Sequence, residues 1–207
     1  EIGGFMMGEL SVWTGKSGQG KSTLLGQILL DSIQDGVNVC AYSGELRADC
    51  FQYWINLQAA GLENIKSYDD PVKQSEIAYV PKEINKKIID WYRGRFWLYD
   101  NDTSNEEAGI LKIFTYAAKR YDCKVFLVDN LMTSNFDCKN ENDYYRAQSS
   151  FVGELIHFAK SFGVHVHLVA HPKKQKGKLE KEDVSGTGDI TNRAHNVFSV
   201  DRVEEDD

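Results

Sequence analysis

Between an apolar run at 10–14 (LSVWT) and a segment of helical spacing at 22–34 lies Gly15-Lys16-Ser17-Gly18-Gln19-Gly20-Lys21-Ser22, which fits the pattern G-x-x-x-x-G-K-[ST]. A loop of this kind leaves a strand, turns tightly and enters a helix, so it commits the chain to strand–loop–helix construction. Its chemistry follows from what a polyphosphate needs. Several backbone N–H groups must converge on the anion, glycines let the loop wrap closely, and the helix N-terminus adds partial positive charge. Gly15, Ser17, Gly18 and Gly20 are the expected cradle. Lys21 is placed to neutralise the β and γ phosphates, Ser22 to ligate Mg²⁺ through its hydroxyl, and Thr23 to support a neighbouring phosphate. The other reading, a glycine-rich turn without ligand, fits poorly with both a strand before it and a helix after it.

Apolar runs alternate with helix-period segments along the rest of the chain, the pattern of an α/β fold with a mostly parallel central sheet flanked by helices. The strand-like runs fall at 10–14, 37–43, 95–99, 124–128 and 164–170, with a strand-like NVFSV at 196–200. Helices are expected at 48–60, at 81–93 with Pro81 in the first turn, and at 142–162, where Phe151, Leu155, Phe158 and Phe162 recur at helical spacing. Another is expected to begin at Ser104, with Glu107 completing a capping box and Ile110, Leu111, Phe114, Ala117 and Ala118 on one side. The stretch after Ala60 reads as turn-rich. At 207 residues the chain is read as a single domain, 1–207, and both ends read as cut from a longer protein.

Three further positions carry chemistry. VFLVD at 125–129 is an apolar strand ending in a carboxylate, and Asp129 is the candidate to orient Mg²⁺ through water; capping of the next turn is the alternative. Glu45 follows the second strand, expected to lie beside the loop-bearing strand, and either activates an attacking water or simply opens the helix that starts near Leu46. His171 ends the run 164–170 and emerges at the same carboxyl edge, where a donor senses a γ phosphate. His165 and His167 alternate within that run and so share one face, which suits core histidines better than metal ligands. His157 and His195 suggest no chemistry.

The net charge of −7 argues against a protein that coats nucleic acid indiscriminately. Against that background, 173–181 holds five lysines and one glutamate, either a nucleic-acid contact or a solvated loop. The four cysteines show no C-x-x-C spacing, no run is long enough to span a bilayer, and the first residues lack the layout of a signal peptide, so a reduced, cytoplasmic protein with no membrane partner is expected.

GELSVWTGKSGQGKST, YSGEL, VFLVDN, VAHPKK and SGTGDITNRAHNVFSV, in this order, resemble the RecA-like helicase domain of ring-shaped replicative helicases, the DnaB-like family that includes phage primase-helicases and the mitochondrial replicative helicase. The resemblance covers nearly the whole chain, and His171 at the polar switch places it nearer the phage branch. It implies an ATP- or NTP-driven 5'-to-3' DNA helicase motor, working as a hexameric ring around single-stranded DNA, with a primase or loader as a further partner. It makes Lys21 and Ser22 the phosphate and Mg²⁺ residues, Asp129 the acid at the metal, and Glu45 the catalytic glutamate. The segments 134–145 and 173–192 match two loops that line the central channel, with Lys173, Lys174, Lys176 and Lys178 as DNA-backbone contacts. His195 stands where the family usually has an acidic residue and receives no role. Arg202 matches an arginine that precedes the family's arginine finger, so the isolated chain is expected to bind nucleotide and hydrolyse it slowly. The alternative function is a RecA-like recombinase or clock-type ATPase that assembles without unwinding. A small-molecule kinase of the same fold would need an arginine-bearing lid, which the sequence does not offer.

Overall fold

The computed structural model describes residues 4–72, 74–99, 109–131, 141–171 and 188–202. In chain order the strands are β1 (Leu10–Thr14), β2 (Asn38–Ser43), β3 (Lys66–Asp70), β4 (Ser75–Tyr79), β5 (Phe96–Tyr99), β6 (Cys123–Asp129), β7 (His165–Val169) and β8 (Asn196–Ser199). The α-helices are α1 (Lys21–Gln34), α2 (Ala48–Ala60), α3 (Lys82–Tyr92), α4 (Ile110–Tyr121), α5 (Glu141–Phe162) and α6 (Gly188–Arg193). Six strands form one sheet in the order β5-β2-β6-β7-β1-β8, every pairing parallel.

Parallel strands covered by helices on both faces read as continuous apolar runs, and β1 and β7 are buried at every position. The two-residue period sorts their side chains. Leu10, Val12, Phe126, Val128, Val166 and Leu168 meet Phe114 of α4 and Val152, Leu155 and Phe158 of α5 on one face. Trp13, Val39, Ala41, Val125 and Leu127 meet Leu25, Leu29 and Ile33 of α1 and Phe51 and Ile55 of α2 on the other. Each Val, Leu, Ile or Phe side chain among them contributes roughly 1.5–3 kcal/mol by leaving water, so the sheet is fixed from both sides and its carboxyl edge becomes a rigid platform. Among the described residues no helix is long and apolar enough to cross a membrane. Cys40, Cys50 and Cys123 are free thiols, and Cys138 lies outside the described residues.

Four expectations change. β2 is not beside β1: β6 and β7 lie between them, because the two later crossovers return into the middle of the sheet. The stretch after Ala60 holds a short 3-10 turn, Leu62–Asn64, and an antiparallel hairpin of β3 and β4. Its strands, KSYDD and SEIAY, are polar and largely exposed, so they carry no buried alternation to read; the hairpin is held to α2 by the Tyr53 hydroxyl, which donates to the Ala78 carbonyl at 2.6 Å. α4 begins after Gly109, whose ψ of 152° is extended, and not at Ser104; Ser104 and Glu107 lie outside the described residues. Finally, residues 141–145 of the first expected channel loop belong to α5, and the end of the second forms α6, anchored by fully buried Ile190.

His165 and His167 are each 1% exposed; both rings pack against Phe5 and against each other, and His167 also against Trp13. The Trp13 indole N–H donates to His167 Nδ1 at 3.1 Å, so His167 serves as an acceptor in its neutral form. Burial, with His165 adding to it, lowers its pKa from 6.5 to about 3; burial lowers His165 as well. The unfolded chain therefore takes up protons first. The stability these neutral rings allow is complete above pH 6.5 and is lost as pH falls from there towards the folded pKa. Between pH 7.5 and pH 5 the loss from His167 is about 2 kcal/mol. Urea denaturation at the two pH values should show it, and His167→Gln, which keeps an acceptor for Trp13 but does not titrate, should shrink the difference by about that amount. An equal acid loss in both proteins would refute it.

Candidate active site

Because the sheet is parallel, β1, β2, β6 and β7 all end at one edge, and each delivers one predicted residue there. β1 runs into Gly15, whose φ of 149° and close approach to β8 leave no room for a side chain: an added Cβ would sit 2.4 Å from the Val200 carbonyl oxygen. The loop then turns into α1 through Gly20 at φ 89°, a left-handed conformation that glycine adopts without strain. No side chain caps α1, and no acidic residue stands in its first turn. An uncapped helix start with its dipole unopposed fits an anion.

Lys21 is only 6% exposed and folds back over the loop, donating from Nζ to the Gly15 carbonyl at 2.7 Å and the Lys16 carbonyl at 2.9 Å. Burial lowers its pKa from the usual lysine value, while Asp129, Glu45 and Asp201 pull the other way. The Ser22 hydroxyl donates to Asp129 Oδ2 at 2.9 Å, which joins the start of α1 to the end of β6. Burial raises the Asp129 carboxyl above its ordinary range; Glu45 adds to the rise, and the Ser22 bond, His171 and Lys21 oppose it. A buried carboxylate beside a hydroxyl is a donor set that a hard divalent cation favours, so Ser22 and Asp129 fit Mg²⁺, which when bound supplies positive charge to the phosphates.

Glu45 reaches the same place by a longer route than expected. The Gly44 N–H donates to the Asp129 carbonyl at 2.7 Å, which ties the exit of β2 to the end of β6. From there the Glu45 carboxylate meets His171 Nε2 at 2.8 Å across the end of β6, the one strand between β2 and β7. Ser17, Gly18, Gly20, Lys21, Ser22, Thr23, Glu45, Asp129 and His171 together line a cleft of about 250 Å³. Gly15 lies against it through its carbonyl bond to Lys21. Lys173, Lys174, Lys176 and Lys178 lie outside the described residues.

Sequence reasoning missed two contributors. Asn130, 1% exposed, follows Asp129 directly, and its side-chain amide donates to Glu45 Oε1 and contacts His171 Nε2 at 2.8 Å; a polar residue straight after the strand-terminal acid was the available signal. The segment after β8 also closes on the loop. The Val200 N–H donates to the Thr14 carbonyl at 2.9 Å and the Arg202 N–H to Gln19 Oε1. That contact spans 183 positions and leaves no local trace in the sequence.

A strand carrying a glycine-rich phosphate cradle, an acid on β6 bonded to the cradle's serine, and β7 inserted between the two define a P-loop NTPase of RecA-like fold. Residues 2–177 match a family model described as an AAA domain, and the chain belongs to that family of P-loop ATPases.

Proposed function

We propose that this chain is the motor domain of a replicative DNA helicase of the DnaB-like branch, in which hydrolysis of ATP or another NTP at subunit interfaces drives movement along single-stranded DNA. The observation that carries the hydrolase reading is Glu45 lying 2.8 Å from His171 at the cleft that Lys21 and Ser22 line. In this reading Glu45 takes a proton from water as the water oxygen bonds to the γ phosphorus and the bridging P–O bond breaks onto the β phosphate. Lys21 holds the phosphates, Ser22 and Asp129 hold Mg²⁺, and His171 meets the γ phosphate.

Support for the helicase branch comes from the order of motifs and from the place of Lys173, Lys174, Lys176 and Lys178 directly after His171 in the sequence; in this reading a movement of His171 would pull on that basic segment. A hexameric ring and a primase or loader partner belong to the same reading. The direct test is unwinding of a forked duplex by a chain extended at both ends, with its mass measured in the presence of Mg²⁺ and an ATP analogue. ATP hydrolysis and ring assembly without strand separation would favour the recombinase or clock-type alternative.

Replacing the four lysines by alanine should weaken binding to single-stranded DNA and flatten its salt dependence. Each lost phosphate contact lowers the slope of log K against log salt by about 0.7, so a loss of up to about 3 is expected. An unchanged slope would reduce the segment to a solvated loop.

A further inference from the structure

At the mouth of the cleft three side chains meet in a triangle: Asn130 Nδ2 on Glu45 Oε1, Asn130 Nδ2 at 2.8 Å from His171 Nε2, and His171 Nε2 at 2.8 Å from Glu45 Oε1. Asn130 is the rigid corner, 1% exposed at the end of β6, whereas the side chains of His171 and Glu45 are 29% and 44% exposed. Glu45 settles which way the amide faces, since a carboxylate accepts from N–H and repels C=O. The third side of the triangle has two incompatible proton arrangements. If His171 Nε2 carries no hydrogen it accepts from Asn130, and its contact with Glu45 sets lone pair against lone pair. If Nε2 carries the hydrogen it donates to Glu45, and its contact with Asn130 sets N–H against N–H.

The geometry points to Asn130 as a positioning residue that couples His171 to Glu45, holding the water-activating carboxylate and the phosphate-sensing ring together until a γ phosphate draws the ring away. This inference rests on the nucleotide-hydrolysing reading above. Phosphate oxygens only accept, so His171 Nε2 meets one only in the form that donates, the form that gives up the bond from Asn130. Departure of His171 leaves Glu45 Oε1 held by Asn130 alone, with a lone pair returned to the cleft. A nucleotide without a γ phosphate leaves the triangle closed, so breaking the Asn130–His171 contact is a cost borne by triphosphate binding alone.

The test compares affinities for ADP and for the non-hydrolysable analogue AMP-PNP, both with Mg²⁺, by competition against a fluorescent nucleotide. Asn130→Ala should shift the ratio of the two dissociation constants towards AMP-PNP by about three- to tenfold, the range given by one net hydrogen bond, with ADP affinity unchanged. Asn130→Leu, with the same branched outline and without a donor, should do the same and guards against a cavity-related folding defect in the first variant. In a His171→Ala background neither substitution should move the ratio, which separates coupling from a merely structural role. In the unsubstituted chain the Asn130 side-chain amide resonance should move on adding AMP-PNP and stay in place with ADP. An unchanged ratio with intact ADP binding, an equal shift in the His171→Ala background, or equal amide shifts with both nucleotides would each overturn the inference while leaving the nucleotide site standing. Failure of the unsubstituted chain to bind either nucleotide would overturn both.

Discussion

Glu45→Gln is expected to leave binding of ATP with Mg²⁺ unchanged and to slow phosphate release by about 10²–10⁴-fold, the contribution of a positioned general base. The substitution keeps the shape of the side chain and its acceptor oxygen. The carboxamide cannot take a proton from water, so the chemical step alone suffers. Binding is spared because Glu45 stands at the mouth of the cleft beside His171, away from the Gly15 and Lys16 carbonyls against which Lys21 folds. Phosphate release under excess enzyme, set against the affinity for a fluorescent nucleotide, separates the two quantities. Wild-type turnover in Glu45→Gln would return this residue to the structural role of opening α2.

Lys21→Ala should act on the other quantity. A buried ammonium facing phosphate makes charge-assisted hydrogen bonds worth about 1.5–3 kcal/mol, so affinity should fall roughly ten- to hundredfold. Turnover should fall with it. The loop itself should survive, because its path is set by Gly15 packed under Val200 and by Gly20 at φ 89°, neither of which depends on the lysine side chain. The truncation leaves Asp129, Glu45 and Asp201 without the cation they face, so some loss of stability is expected at low ionic strength. Unchanged affinity would place the triphosphate somewhere other than the first turn of α1.

The sequence by itself determined the elements and the local chemistry. Continuous apolar runs such as 10–14 and 164–170 appear as buried strands, and 48–60 as α2, because the side chains that make those patterns are the ones the core buries. The cradle was legible for the same reason: eight consecutive residues suffice to describe a loop whose shape is set by its own backbone angles. The neighbours of each strand were not legible. β2 was expected beside β1, yet two strands lie between them, since strand order depends on where each crossover helix packs and no local pattern encodes that choice. The β3–β4 hairpin escaped because polar, exposed strands bury nothing that would impose a period. Only the tertiary structure brought Asn130 against Glu45 and His171 and closed Val200 over Gly15, contacts between residues far apart in the chain that the shared carboxyl edge of a parallel sheet makes neighbours.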